Sequence, residues 1–402
     1  MNALLDQRPA LQRWRRHAAA AVCVLALAGV SAPAAMAATD PAFARFAEHD
    51  QDSRIRIDYT AMSEILGGSV YEVGRSDRIP GRGRVERTGT RINLGSTSRY
   101  RYEGNRVVFH TMSREHKDVI SQYRAELESL PSHVPLASLS PDEQLAYWLN
   151  LHNIVVIDEI ARRYPVTNVA RLRIDGQPLH DAPLVTIEGQ RLSLNDIRFN
   201  VVGANWSDPR VMYGFFSGSV GGPSIQRQPF EGARVWAQLS AGAGEFVNAL
   251  RGVEDVNQGY RISPLYQEWR DSLFAQWPQD LESHLTAFAD GDARQSISIG
   301  QLPDFLTYDT LIADLTNGVH RCGGDSGFNV VSTGSEMGAT ASNPCSGLPP
   351  HARDLVVTVI ERRLEFLRQG RFGSVTIRDV DTTPESEGGA RRVTTEGDEI
   401  SN

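Results

Sequence analysis

The residues best placed to do chemistry lie in one short turn, Ser217-Gly218-Ser219-Val220-Gly221-Gly222-Pro223. It follows an apolar run, residues 211–216, that reads as a strand. A Gly-rich loop at a strand end lets backbone approach a ligand closely, and its successive N–H groups can form an anion-binding concavity. Ser217 stands at the strand end, where a serine with a histidine in reach would attack acyl or peptide bonds. His152 and His180 are the two bases that position offers. The turn is not a phosphate loop, because no Gly-Lys-Ser/Thr follows. Nor is it a Gly-x-Ser-x-Gly elbow, because Phe215 stands where the first glycine belongs. Gly218, Gly221 and Gly222 are therefore read either as a binding turn or simply as a tight one. Asn150 and Asn153, one helical turn apart, share a face. They can clamp the backbone of this turn, or orient a ligand.

The element that must position these groups is residues 140–165, SPDEQLAYWLNLHNIVVIDEIARRYP. Ser140 suits a cap, Pro141 the first helical position, and Glu143 the third residue of a capping box. Pro165 stops the helix near Tyr164. Leu145, Trp148, Leu149, Val155, Val156 and Ile160 form one apolar stripe. Ala146, Ile154, Ile157 and Ala161 form a second, so the spacing predicts a helix buried on most sides. Asn150, His152 and Asn153 then need internal hydrogen-bond partners.

The chain has 402 residues, 41% hydrophobic and 22% charged, as expected of a globular protein of one large or two modest domains. Residues 1–38 read as a signal peptide. They hold a basic region at Arg13, Arg15 and Arg16, an apolar run of about a dozen residues, and Ala35-Met36-Ala37 as cleavage site. That run is too short to span a bilayer. Cleavage would take four Arg and one Asp from a formal charge of −8 and leave −11. Such a balance argues against nucleic-acid binding through a basic field. A periplasmic or secreted location follows, with no transmembrane segment in the mature chain. Cys322 and Cys345 then read as a disulfide closing a Gly/Ser/Asn-rich loop. No His, Cys, Asp and Glu set has metal-ligand spacing, and no cofactor is indicated.

Along the chain, residues 39–139 read as an N-terminal extension that packs on a core. It includes an Arg-rich arm, residues 74–101, and an amphipathic helix at 113–130. Residues 169–174 and 184–187 are strand candidates with turns at Asp175-Gly176 and Glu188-Gly189. Helices are predicted at 193–202, 231–250, 281–288, 302–315 and 351–369, and a last strand at 375–377. Residues 275–380 form a C-terminal helical region with the disulfide loop, and residues 381–402 a polar tail read as disordered.

Four stretches together resemble the domain of unknown function 547 family: AYWLNLHNIVVIDEIARRYP, RLSLNDIRFNVVG, DPRVMYGFFSGSVGGPSI and, more loosely, LYQEWRDSLF. The resemblance covers residues 140–274. It carries over Trp148, Asn150, Asn153, Asp196, Asp208, Pro209, Gly218 and Pro223, with no role assigned to any of them in that family. It also implies a Glu-His pair where this chain has Arg198 and Phe199. It implies a Cys-Gly-x-x-Ser-Cys-Pro turn where this chain has Ser217, Gly221 and Gly222 at the Cys, Ser and Cys positions. A histidine beside a cysteine would suggest thiol chemistry, and here both partners are replaced.

The expectation is an α+β fold, with a small irregular antiparallel or mixed sheet packed on the buried helix and several others. Function divides three ways. One is a binding or structural module with a degenerate pocket at residues 217–223, taking an unidentified small molecule, peptide or envelope component. Another is a hydrolase using Ser217 with His152 or His180. The third is an envelope assembly factor whose arm meets an anionic surface.

Overall fold

The computed structural model describes residues 42–81, 98–256, 259–299, 304–318 and 350–368. The expected signal peptide, the Cys322–Cys345 pair, the strand at 375–377 and the tail lie outside the described residues.

The central helix, Pro141–Arg163, forms where the sequence places it. The Ser140 hydroxyl accepts the Glu143 N–H at 3.4 Å, and Pro141 occupies the first turn. Glu143 does not close the capping box. Its carboxylate accepts the Ile57 N–H at 3.0 Å and so fastens the N-terminal extension to the helix start. Every residue from Glu143 to Ala161 is buried. The helix Arg114–Ser129, capped by Ser113, packs on it. Arg124 from that helix reaches Asp158 at 2.9 Å, Glu159 at 2.5 Å and the Leu184 carbonyl at 2.6 Å. A buried guanidinium with this many acceptors is satisfied rather than stranded.

The fold is α+β: helices around the central one, with small, mostly antiparallel sheets at the periphery. The hairpin Pro183–Ile187 with Gln190–Ser193 pairs Val185 with Leu192 and turns at Glu188-Gly189. Both turn residues have positive φ, 47° and 82°, as a two-residue hairpin turn requires. Asp175-Gly176 turns the shorter hairpin in the same way, at 48° and 84°. One apolar core gathers Phe46 and Phe109 from the extension, Trp148 and Phe216 from the centre, and Leu281 and Ile312 beyond residue 274.

Three predicted elements differ. Residues 211–216 are not a strand: Pro209–Gly214 is a 3₁₀ helix. Asp208 accepts the Arg210 N–H at 2.9 Å and Pro209 fills the first position, so the dipeptide starts a helix. The apolar run that follows is buried on all sides, and such a run carries no period to tell strand from helix. Residues 169–174 yield a 3₁₀ turn, Val169–Arg171, and only a two-residue strand, Arg173–Ile174. Residues 302–315 are extended where described, not helical. Asp304–Phe305 pairs in parallel with Arg261 and Ile262. The chain then runs along the Gly-rich turn, with Val220 N–H on Leu311 O at 2.8 Å, Gly221 N–H on Asp309 O at 2.9 Å and Ala313 N–H on Gly218 O at 2.8 Å. On its other side Val169 N–H donates to Thr310 O at 3.0 Å. Non-local pairing on both sides overrides the local leucine spacing.

In the described parts of the arm, Arg75 pairs with Asp290, Arg78 with Asp255 and Arg99 with Glu254. Residues 82–97 lie outside the described residues.

The two asparagines of the central helix bind backbone. Asn150 donates to Phe230 O at 2.7 Å and accepts Phe230 N–H at 2.9 Å. Asn153 donates to Gly214 O at 2.9 Å and accepts Phe216 N–H at 2.9 Å. Truncating Asn153 strands two buried backbone groups, so Asn153→Ala should lower unfolding free energy by about 2–4 kcal/mol. Urea denaturation measures this, and a loss below about 1 kcal/mol would contradict the clamp.

Candidate functional site

The Gly-rich turn is closely packed by its neighbours. Gly218 has φ of 80°, and a Cβ there would stand 2.6 Å from Ile160 Cδ1 of the central helix. A Cβ on Gly222 would collide with Ser217 Oγ and stand 2.7 Å from the Tyr308 hydroxyl. Small residues are therefore imposed at both positions by packing, one also by backbone conformation. Gly221 sits in the ladder with Asp309. Behind the turn, fully buried Arg251 donates to Gly222 O at 3.2 Å and to the Ser224 hydroxyl at 3.0 Å, and pairs with Glu245 at 2.6 Å.

A cavity of about 360 Å³ opens in front of the turn. His152 from the central helix, His180, Arg198, Phe199, Ser217 and Tyr308 line it, with Glu268 at its side. Ser217, His152 and His180 thus share one cavity. Asn150 and Asn153 stand behind it, on backbone. Among the described residues a larger cleft, about 850 Å³, lies between the arm and the helix Pro350–Arg368. Its arginines Arg75 and Arg362 are already paired with Asp290 and Asp77. None of Ser217, His152 and His180 lines that cleft, and all three line the smaller cavity. Among the described residues no group of three or more His, Cys, Asp or Glu side chains is arranged to hold a metal ion.

Ser217 Oγ has two partners: the Tyr308 hydroxyl at 2.8 Å and the Ser219 N–H at 3.2 Å. His180 reaches Ser217 too, but at the backbone: Nε2 stands 3.1 Å from the Ser217 carbonyl. A carbonyl only accepts, so that nitrogen carries the proton and Nδ1 the lone pair. His152 resolves the same way. Its Nδ1 is 3.1 Å from Asn153 Oδ1. That oxygen already accepts the Phe216 N–H, which fixes the amide's orientation. His152 Nδ1 is therefore the donor, and Nε2 holds the lone pair. The two rings lie nearly parallel, 25° apart with centroids at 6.1 Å, in opposite tautomers. Neither lone-pair nitrogen, His152 Nε2 or His180 Nδ1, has a hydrogen-bond partner among the described residues.

Burial keeps both rings neutral. It pushes His152 well below the usual imidazole range, helped by neighbouring His180. It brings His180 down to about 4, helped by the Arg198 charge. Burial raises the Tyr308 phenol to about 12, so it stays protonated. Arg198 spends its charge on Glu268 at 2.6 Å and donates to Asn195 at 3.1 Å. Its guanidinium lies 4.5 Å over the Phe199 ring. Arg198 and Phe199 come from a wide helical stretch, Asp196–Val202. Asp196 fixes the entry to it by accepting the Ser193 N–H at 2.8 Å and the Ser193 hydroxyl at 2.7 Å.

Residues 136–247 match the family model described as "Protein of unknown function, DUF547", and the chain carries a domain of that family. No curated protein and no solved structure matches it. Ser217, His152, His180, Arg198 and Phe199 fall inside the matched residues; Glu268 and Tyr308 fall outside. Sequence reasoning missed Tyr308, Glu268 and Arg251. Tyr308 meets Ser217 across 91 residues of chain, and no local pattern signals such a contact.

Two outcomes follow. Histidine-selective ¹⁵N spectra at neutral pH should show His152 protonated on Nδ1 and His180 on Nε2; a shared tautomer would contradict the assignment. Stability should fall with acid. His180, and likewise His284 at about 4, titrate below the ordinary value of about 6.5. Their neutral forms therefore favour the fold fully above about pH 6.5. That contribution is lost as pH falls toward 4, at about 1.4 kcal/mol per unit for each group. Denaturation curves from pH 7.5 down should steepen in that window, and His180→Gln should flatten them.

Proposed function

We propose that the protein is an exported binding module whose pocket holds a small ligand without cleaving it. One observation carries this reading: His180 donates to the Ser217 carbonyl, while the Ser217 hydroxyl is tied to Tyr308. A serine nucleophile needs a base on its hydroxyl. Here neither imidazole is hydrogen-bonded to Ser217 Oγ. What supports a ligand is the cavity itself, with an apolar wall, a balanced ion pair and the Ser217 and Tyr308 side chains on its lining.

A serine-directed fluorophosphonate probe separates this reading from the hydrolase one. The expected result is no labelling that Ser217→Ala abolishes. Stoichiometric, Ser217-dependent labelling would establish an activated serine and end the binding-only account. Export rests on the character of residues 1–38, and with it the Cys322–Cys345 disulfide. The mass of the chain recovered from the producing cell, before and after reduction and alkylation, tests both. No helix among the described residues is long and apolar enough to cross a membrane.

A further inference from the structure

Arg198 and Glu268 balance in charge but not in attachment. The Arg198 side chain is 13% exposed and that of Glu268 43%. Arg198 also donates to Asn195 Oδ1 at 3.1 Å, and that amide is itself fixed, since its Nδ2 donates to Asp181 at 2.7 Å. The guanidinium lies over the Phe199 ring and 5.7 Å from the Trp269 ring centroid. Glu268 ends the short helix Leu265–Glu268, and among the described residues its carboxylate accepts one hydrogen bond, the one from Arg198. Arg198 keeps donors in reserve. A guanidinium has five N–H groups, and here Nη2 serves Glu268 and Nη1 serves Asn195. Nε has no partner among the described residues. Unlike Arg78 Nε and Arg261 Nε it is not cut off from solvent, and Arg198 lines the cavity. We infer that the cavity takes a small monocarboxylate with an apolar body, whose carboxylate replaces Glu268 on Arg198. This rests on reading the cavity as a binding site.

The unequal attachment selects the sign of the guest. An anion on Arg198 releases Glu268, the more exposed partner, which can take its charge into water. A cation on Glu268 would have to free Arg198, and a guanidinium held by Asn195 and two rings would be left in the cavity wall without its counter-charge. A neutral guest leaves the pair intact and gains only the weaker, uncharged hydrogen bond from Nε. One guanidinium answers one negative charge, which suits a carboxylate better than a dianion. The Ser217 and Tyr308 hydroxyls lie on the same lining. Between them they hold two hydrogens and spend one on their mutual bond, so the other is left for an acceptor on the guest. Leu179, Phe199, Phe215 and Leu265 line the rest and call for an apolar body. About 360 Å³ is near the low end for small-molecule sites, which suits one ring or a short chain.

The test uses the full chain and three probes that share one ring and differ in the head: benzoate, benzamide and benzylamine. Ligand-observed proton NMR reads each affinity from saturable changes in the probe's own signals. Benzoate should bind about tenfold more tightly than benzamide, the margin of a charge-assisted over a neutral hydrogen bond, and benzylamine more weakly than either. Arg198→Gln should weaken benzoate at least about tenfold. Glu268→Gln, at the more exposed position, should tighten benzoate by up to about fivefold, because the competing carboxylate is gone. A structural role for the ion pair would not produce that gain. Benzoate binding that ignores Arg198→Gln, or that Glu268→Gln leaves unchanged or weakens, would overturn the inference. If benzamide or benzylamine binds and benzoate does not, the class is wrong while the binding reading stands. If none of the three binds, both fall.

Discussion

The structure depends on one buried side chain, Asn153. Its amide spans Gly214 and Phe216, holding the approach to the Gly-rich turn against the central helix. The same Oδ1 receives the His152 proton. One oxygen therefore fixes both where the turn sits and which nitrogen of His152 carries the proton. Asn150, one turn earlier, does the equivalent for Phe230. A helix buried along its length must pair its polar groups internally, and these pairings are what convert a packing element into the back wall of a site.

Around that wall the electrostatics are arranged to keep groups neutral or cancelled. Both imidazoles are uncharged because they are buried, and Arg198 is answered by Glu268. Ser217 is held by Tyr308 and by the Ser219 N–H, neither of which is a base. The resemblance implies a cysteine at positions 217 and 222 and a histidine at 199. In this chain those positions hold a tethered hydroxyl, a glycine with no room for a side chain, and an aromatic wall.

Local chemistry in the sequence foretold much of this. Ser140 and Pro141 mark the helix start, Asp175-Gly176 and Glu188-Gly189 mark the hairpin turns, and the stripes of residues 145–161 mark the burial. The turn and its two histidines were visible by residue type. What was not visible depends on chain that is distant in sequence. The extended segment carrying Tyr308 looks helical by its leucines and is set by ladders on both sides. Residues 211–216 are buried on every side and lose the alternation that distinguishes strand from helix. Arg251 supports the turn from below without any motif.

The Ser217 hydroxyl is bound to Tyr308 and not to a histidine. A double-mutant cycle in unfolding free energy, Ser217→Ala against Tyr308→Phe, tests it most directly. The expected coupling is about 0.5–1.5 kcal/mol, with none between Ser217→Ala and His180→Gln. Zero coupling to Tyr308 with a comparable coupling to His180 would contradict it, and would return Ser217 to the list of nucleophiles.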